Sequence, residues 1–95
     1  HRRCRSLAER VAGAPGLAVD LASVETNMLF AETRGSGLKA ADVVRLLAAR
    51  GVLCLDEEPW AVRFVTHLDV DDADVAEAGR VVVEAMEDVA RRRAG

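Results

Sequence analysis

The sequence predicts an α+β domain in which a small, mostly antiparallel sheet is covered on one face by helices. Three segments repeat apolar residues at the three-to-four spacing of an amphipathic helix. The segments between them are short and apolar or alternate with the period of two that is typical of strands. Glycine and proline punctuate the boundaries. The predicted order is helix, strand, strand, helix, strand, strand, helix, which suits a two-layer arrangement.

The first half of the chain begins with a helix over residues 1–12, one face of which carries cysteine, leucine, alanine and valine. The Gly-Ala-Pro-Gly stretch at 13–16 ends it. Leu17–Asp20 is predicted as a short strand and Glu25–Glu32 as a longer, alternating one. Arg34–Gly37 is predicted as a loop because it contains two glycines and a serine.

The second half begins with a helix over Leu38–Arg50, which a glycine ends. Val52–Leu55 is predicted as a third strand and Asp56–Pro59 as a turn. Ala61–His67 is predicted as the last strand because apolar and polar residues alternate along it.

A last helix follows, with clear start signals. Asp71 is a good N-cap, and Asp74 stands at the third helical position after it. One face then carries apolar residues, namely Val75, Ala78, Val82, Ala85, Met86 and Val89. Gly79 in the interior costs about 1 kcal/mol relative to alanine, so a close contact between helix and sheet is expected there. Arg91–Arg93 lie where the helix dipole favours cations and are predicted to be a solvated helix end.

Composition excludes several classes of function. The 95 residues are 51% apolar and 31% charged, which is typical of one ordinary globular domain. A net charge of −3 and only 3% aromatic residues provide neither a basic stripe nor a stacking platform for nucleic acid. No apolar run approaches the roughly 18 residues of a membrane span. Cys4 and Cys54 lack metal-ligand spacing and are predicted to be small buried hydrophobes of a cytosolic protein, although a disulfide between them stays an alternative.

Arg63 is the most informative single residue. It is the only charged side chain between Glu58 and Asp69, in the middle of an apolar strand. A partly buried guanidinium is tolerated when it is paired and hydrogen-bonded. Two partners stay open: an acidic ligand, or an acidic residue of this chain. Spacing alone favours the second, with three candidates, Glu25, Glu57 and Glu58.

Three segments resemble one family. Residues 62–70, Val-Arg-Phe-Val-Thr-His-Leu-Asp-Val, resemble a strand of the C-terminal small domain of the low-specificity L-threonine aldolases, which are pyridoxal-phosphate enzymes of the aspartate-aminotransferase fold type. Residues 19–28, Val-Asp-Leu-Ala-Ser-Val-Glu-Thr-Asn-Met, resemble another strand of that domain. Residues 2–9 resemble the helix that leads into it, so the resemblance covers nearly the whole chain.

The resemblance implies that residues 1–95 are a single C-terminal small domain, a fragment of a longer chain. The parent would be a cytoplasmic, homo-oligomeric lyase that splits L-threonine or a related β-hydroxy-α-amino acid into glycine and an aldehyde. Arg63 would help to hold the substrate carboxylate. The lysine that binds pyridoxal 5'-phosphate would lie in the upstream large domain, so the fragment alone is expected neither to hold the cofactor nor to catalyse. Lys39, the one lysine here, is predicted to be solvated.

The remaining polar residues receive structural interpretations. His67 is expected to bond nearby backbone or Asp69 rather than to act as a general base, and Thr66 and Asp69 to serve turns and caps. Asn27 is expected to satisfy backbone groups at a sheet edge or at the boundary with the large domain. The acidic segment 56–60, Asp-Glu-Glu-Pro-Trp, departs from the small turn of the family, and its carboxylates are close enough in sequence to compete with a substrate for Arg63.

Two alternatives to the lyase interpretation stay open. One is a non-catalytic α+β module that binds an amino acid or a partner chain, with Arg63 as its carboxylate receptor. The other is a purely structural interaction domain. In the lyase interpretation the isolated chain exposes an apolar surface that the large domain normally covers, and it is therefore expected to self-associate.

Overall fold

The structure is a computed structural model, and it describes residues 2–24, 27–66 and 70–94. Three α-helices and a three-stranded antiparallel sheet form an α+β domain, which confirms the predicted fold class. The helices are α1 (Arg2–Ala12), α2 (Ala40–Ala48) and α3 (Asp72–Ala94). The strands are β1 (Met28–Glu32), β2 (Leu55–Glu58) and β3 (Ala61–Val65).

The central strand of the sheet is β3, with β1 and β2 on either side of it. Alternation along the strands gives the sheet two different faces. On one face Leu29, Ala31, Val62 and Phe64 are buried with residues of all three helices in one core. Helices α1 and α2 contact the sheet, and α3 packs mainly on α1. The other face carries the residues in between.

The predicted first strand, Leu17–Asp20, is wrong in extent. Only Ala18 forms a bridge, by exchanging backbone hydrogen bonds with Glu32 at 3.0 and 2.8 Å. The carboxylate of Asp20 then accepts a hydrogen bond from the Ala22 N–H at 3.1 Å and starts a 3-10 helix over Leu21–Ser23. A local side-chain bond of this kind competes with strand pairing and stops the ladder.

The predicted strand Val52–Leu55 and the predicted turn Asp56–Pro59 are displaced by several residues. Helix α2 ends in a Schellman motif: Gly51 has φ +89°, and the Val52 N–H donates to the Leu47 carbonyl at 2.9 Å. The chain leaves this motif without pairing, and β2 begins only at Leu55. The acidic residues are therefore in a strand, and the hairpin turn falls on Pro59 and Trp60.

The predicted start of α3 is confirmed by a reciprocal cap. The Asp74 N–H donates to the Asp71 carboxylate at 2.8 Å, and the Asp71 N–H donates to that of Asp74 at 3.2 Å. The predicted contact of Gly79 with the sheet is wrong. A Cβ at Gly79 would lie 2.8 Å from the Cβ of Arg10, so this glycine allows α3 to approach α1. Within the described ranges no helix is long and apolar enough to cross a membrane.

Candidate functional site

The candidate site is on the sheet face that the helices leave uncovered, called here the open face. Its residues are Met28, Phe30 and Glu32 of β1, Leu55 of β2, and Ala61, Arg63 and Val65 of β3. Phe30, Arg63 and Leu55 form one cross-strand row, because Arg63 is in register with Phe30 on one side and with Leu55 on the other. Phe30 is 42% exposed and Leu55 51%. A single guanidinium therefore lies between exposed apolar side chains, and the carboxylate of Glu32 lies two residues along β1 from Phe30 on the same face.

Arg63 makes weak contacts with its own chain. One terminal nitrogen, Nη1, lies 3.9 Å from the thioether sulfur of Met28, which is a poor acceptor. Its Nε lies 3.6 Å from a carboxylate oxygen of Glu57, close enough for charge attraction but too far for a hydrogen bond. That Nε is buried, and its N–H has no hydrogen-bond acceptor in the described part of the chain. Arg63 thus keeps unused capacity to donate hydrogen bonds.

Glu57 reaches Arg63 because of an irregularity in β2. Asp56 pairs with Val62 and Glu58 with Ala61, so Glu57 is an extra residue between two consecutive pairs. Such a β-bulge bends the strand and changes where the side chain of the extra residue points. Of the three glutamates that the spacing allowed, Glu57 has the ion pair, and Glu25 lies outside the described residues.

A shallow cavity of about 200 Å³ adjoins the guanidinium. It is lined by Leu53, Cys54, Leu55, Arg63 and Val65. Burial raises the pKa of the Cys54 thiol to about 11, and the charge of Asp56 adds to this shift. The thiol stays protonated near neutral pH and contributes no thiolate nucleophile here. The cavity therefore offers apolar walls and one cation.

Both cysteines are free and buried, as small hydrophobes are. Burial also raises the pKa of Cys4.

Lys39 lies at the N-cap of α2 and is exposed, as predicted. A lysine that forms a Schiff base requires desolvated surroundings or a neighbouring charge to lower its pKa. Lys39 therefore does not have the surroundings of a lysine that forms a Schiff base with pyridoxal phosphate.

The other polar residues that the sequence singled out make contacts that support the fold, or lie outside the described residues. The backbone carbonyl of Asn27 accepts a hydrogen bond from the Thr66 N–H at 2.8 Å and extends the pairing of β1 with β3. His67 and Asp69 lie outside the described residues. Trp60 is half-buried at the hairpin turn, where the guanidinium of Arg34 stacks on its ring at 4.9 Å.

The basic end of α3 is exposed, as predicted, and two of its arginines also contact the protein. Arg91 pairs with Asp88, and Arg93 donates to the Gly35 carbonyl at 3.1 Å. A Cβ at Gly37, which has φ +78°, would lie 2.9 Å from the Arg93 guanidinium carbon. Glycine is needed there both for its backbone conformation and for this close approach.

Comparison with known proteins adds one similarity. No protein-family model matches the chain. Over 76 residues, 79% of its length, the chain is 33% identical to the low-specificity L-threonine aldolase 1 of Arabidopsis thaliana. The chain spans about a fifth of that relative, since the match covers 21% of the relative's length. This similarity supports a threonine aldolase-like relationship.

Proposed function

We propose that the chain is the C-terminal small domain of a pyridoxal-phosphate-dependent lyase that cleaves L-threonine or a related β-hydroxy-α-amino acid to glycine and an aldehyde. In this proposal Arg63 binds the carboxylate of the substrate. The similarity to an L-threonine aldolase supports the reaction class. The observation that carries the role of Arg63 is its place on the open face, with a buried Nε–H that lacks an acceptor among the described residues.

The chemistry of a guanidinium suits this role. Its planar array of N–H donors matches the two oxygens of a carboxylate and holds them in one orientation, whereas an ammonium is a point charge. Two parallel hydrogen bonds restrict rotation of the amino acid about its Cα–carboxylate bond. The bond to be broken is thereby held in one direction relative to the rest of the site, which lowers the entropic part of the barrier.

The proposal assigns the cofactor and its lysine to the large domain of the parent. Lys39 does not provide the surroundings that this chemistry requires. The same large domain, or another subunit of a homo-oligomer, would cover the apolar part of the open face. Phe30 and Leu55 would then be buried in the assembled enzyme, and the substrate would be held where Arg63 meets the cofactor domain.

The test uses the full-length protein that contains this chain. Its near-visible absorption spectrum is recorded before and after glycine or L-threonine is added, and turnover of L-threonine is then measured. We expect a bound chromophore that responds to both amino acids. Arg63→Lys should raise the KM for L-threonine by about 10- to 100-fold, because hydrogen bonds between charged groups contribute about 1.5–3 kcal/mol.

Arg80→Lys is the matched control. Arg80 is an exposed arginine of α3 that pairs with Glu77 and Glu84, far in sequence from the open face, and its replacement should leave KM unchanged. Equal KM values for the wild type and Arg63→Lys would contradict the assignment of Arg63. A full-length protein without a chromophore would favour the second candidate, a non-catalytic module that binds an acidic ligand at Arg63, which the single cation on an apolar face also supports.

A further inference from the structure

We propose that Glu57 is an internal competitor for Arg63: its carboxylate pairs with the guanidinium in the empty site, and the incoming carboxylate displaces it. This inference rests on the proposed function, since it assumes that Arg63 receives a substrate. It adds a second residue that determines affinity, and it assigns a purpose to the acidic segment that departs from the family resemblance.

The geometry of the Glu57–Arg63 pair is that of a loose contact that a ligand carboxylate can replace. Glu57 approaches Arg63 through one oxygen at 3.6 Å, without a hydrogen bond. The Glu57 side chain is 41% exposed and that of Arg63 29%, so both are accessible to solvent and to a ligand. An exposed ion pair with one loose contact stabilises a fold very little. A structural role would instead call for a bidentate, hydrogen-bonded pair.

The β-bulge in β2 determines the position and the freedom of the Glu57 side chain. Glu57 is the extra residue between the pairs Asp56–Val62 and Glu58–Ala61, which turns its side chain toward Arg63. Rotation of that side chain away from Arg63 leaves the backbone pairs of the sheet in place. Displacement of Glu57 therefore requires a side-chain rotation on an edge strand and no change in the fold.

The charges of Arg63 and Glu57 determine which ligands can displace Glu57. A ligand displaces Glu57 when its hydrogen bonds with Arg63 outweigh the charge attraction of a pair that has none, and a carboxylate that accepts from two N–H groups of the guanidinium satisfies that condition. Neutral ligands gain nothing from the exchange. Glu57 thus lowers the affinity for every carboxylate by the same factor, so that at a given concentration only carboxylates that bind Arg63 tightly, through two hydrogen bonds, occupy the site.

The experiment compares Glu57→Gln with Glu58→Gln in the full-length protein. Both variants remove one carboxylate from the same strand and keep the size of the side chain, but only the first removes the partner of Arg63. Glycine binding is measured by calorimetry, and kcat and KM are measured with L-threonine. We expect Glu57→Gln to lower the Kd for glycine and the KM by about two- to fivefold at unchanged kcat, while Glu58→Gln changes neither.

Two further variants separate the possible failures. In an Arg63→Ala background, Glu57→Gln should have no effect on glycine affinity, since the competition needs both partners. If Arg63→Ala weakens glycine binding but Glu57→Gln leaves it unchanged or weakens it, Glu57 is not a competitor and the role of Arg63 stands. If Arg63→Ala leaves glycine binding unchanged, the proposed function and this inference are both overturned.

Discussion

The two faces of the sheet are built from the same strands and differ in almost every physical property. Phe64 of β3 lies on the covered face and is 2% exposed, whereas Phe30 of β1 lies on the open face and is 42% exposed. Phe64 is in register with Leu29, an apolar residue, and Phe30 with Arg63, a cation. On β1 and β3 the covered face excludes water almost completely, whereas the open face presents charged side chains to it.

The comparison shows that consecutive residues of one strand can serve different purposes, one stabilising the core and the next being available for binding. Because successive side chains of a strand point to opposite faces, neighbours such as Phe64 and Arg63 belong to different environments. A substitution on the covered face should therefore change the free energy of unfolding, and one on the open face should change binding or association. The following predictions test that separation in the 95-residue chain.

The largest effect is expected from Phe64→Ala. It should lower the free energy of unfolding by about 3–5 kcal/mol, because a fully buried ring is removed and a cavity is left behind. Phe30→Ala, the matched change on the open face, should cost about 1 kcal/mol or less, since much of that ring is already in water. Urea unfolding followed by the fluorescence of Trp60, the one tryptophan, measures both. Equal losses would mean that the two faces are equally buried in solution.

A smaller effect is expected at alkaline pH, from Cys54. This thiol is buried between the exposed residues Leu53 and Leu55, and its pKa is raised to about 11 from an ordinary value of 9.0. A group whose folded-state pKa is raised adds stability below its unfolded pKa and loses it as the pH rises through the folded one. The free energy of unfolding should therefore fall between about pH 9 and pH 11, by on the order of 2 kcal/mol.

Cys54→Ala is the comparison for this pH dependence. Between pH 9 and pH 11 the free energy of unfolding of the variant should fall less than that of the wild type. The fall that is left should come from Cys4, whose pKa is also raised. An identical decrease in the variant would show that Cys54 does not titrate in that range. Alkylation at neutral pH, followed by mass spectrometry, gives an independent check, because a protonated buried thiol reacts slowly.

The smallest effect on stability is expected from Leu53→Lys. Leu53 is 81% exposed beside the open face, so its replacement should change the free energy of unfolding by no more than about 0.5 kcal/mol. It should, however, reduce self-association of the chain, because a charge is placed at the edge of an exposed apolar surface. Sedimentation velocity over a range of concentrations measures this. A wild-type chain that stays monomeric at high concentration would contradict the expected association.

Much of the fold follows from local patterns. The cap of Asp71 and Asp74, the Gly51 helix end and the alternation in β3 were all predictable, because each depends on residues a few positions apart. The extent of β2 was not. Its acidic residues have the composition of a turn, and they form a strand because β3 offers an unpaired edge to them.

The candidate site was predicted in part. Arg63 stands out in the sequence because it is a lone cation in an apolar strand, and glutamates near it were candidate partners. Which glutamate pairs with it depends on the bulge in β2, and no sequence signal marks that irregularity. The row of Phe30, Arg63 and Leu55 likewise depends on strand register, which joins residues that are far apart in the chain.

The sequence by itself determined the α+β class, the turn at Gly51 that follows α2, the capped start of α3 and the position of the one cation in β3. These features follow from short-range periodicity, capping and backbone preferences. Only the tertiary structure decided which face of the sheet stays open, that Gly79 meets Arg10 rather than the sheet, and that Glu57 is the carboxylate beside Arg63. The reason is that these contacts are set by strand register and helix packing, which depend on the whole core rather than on any one segment.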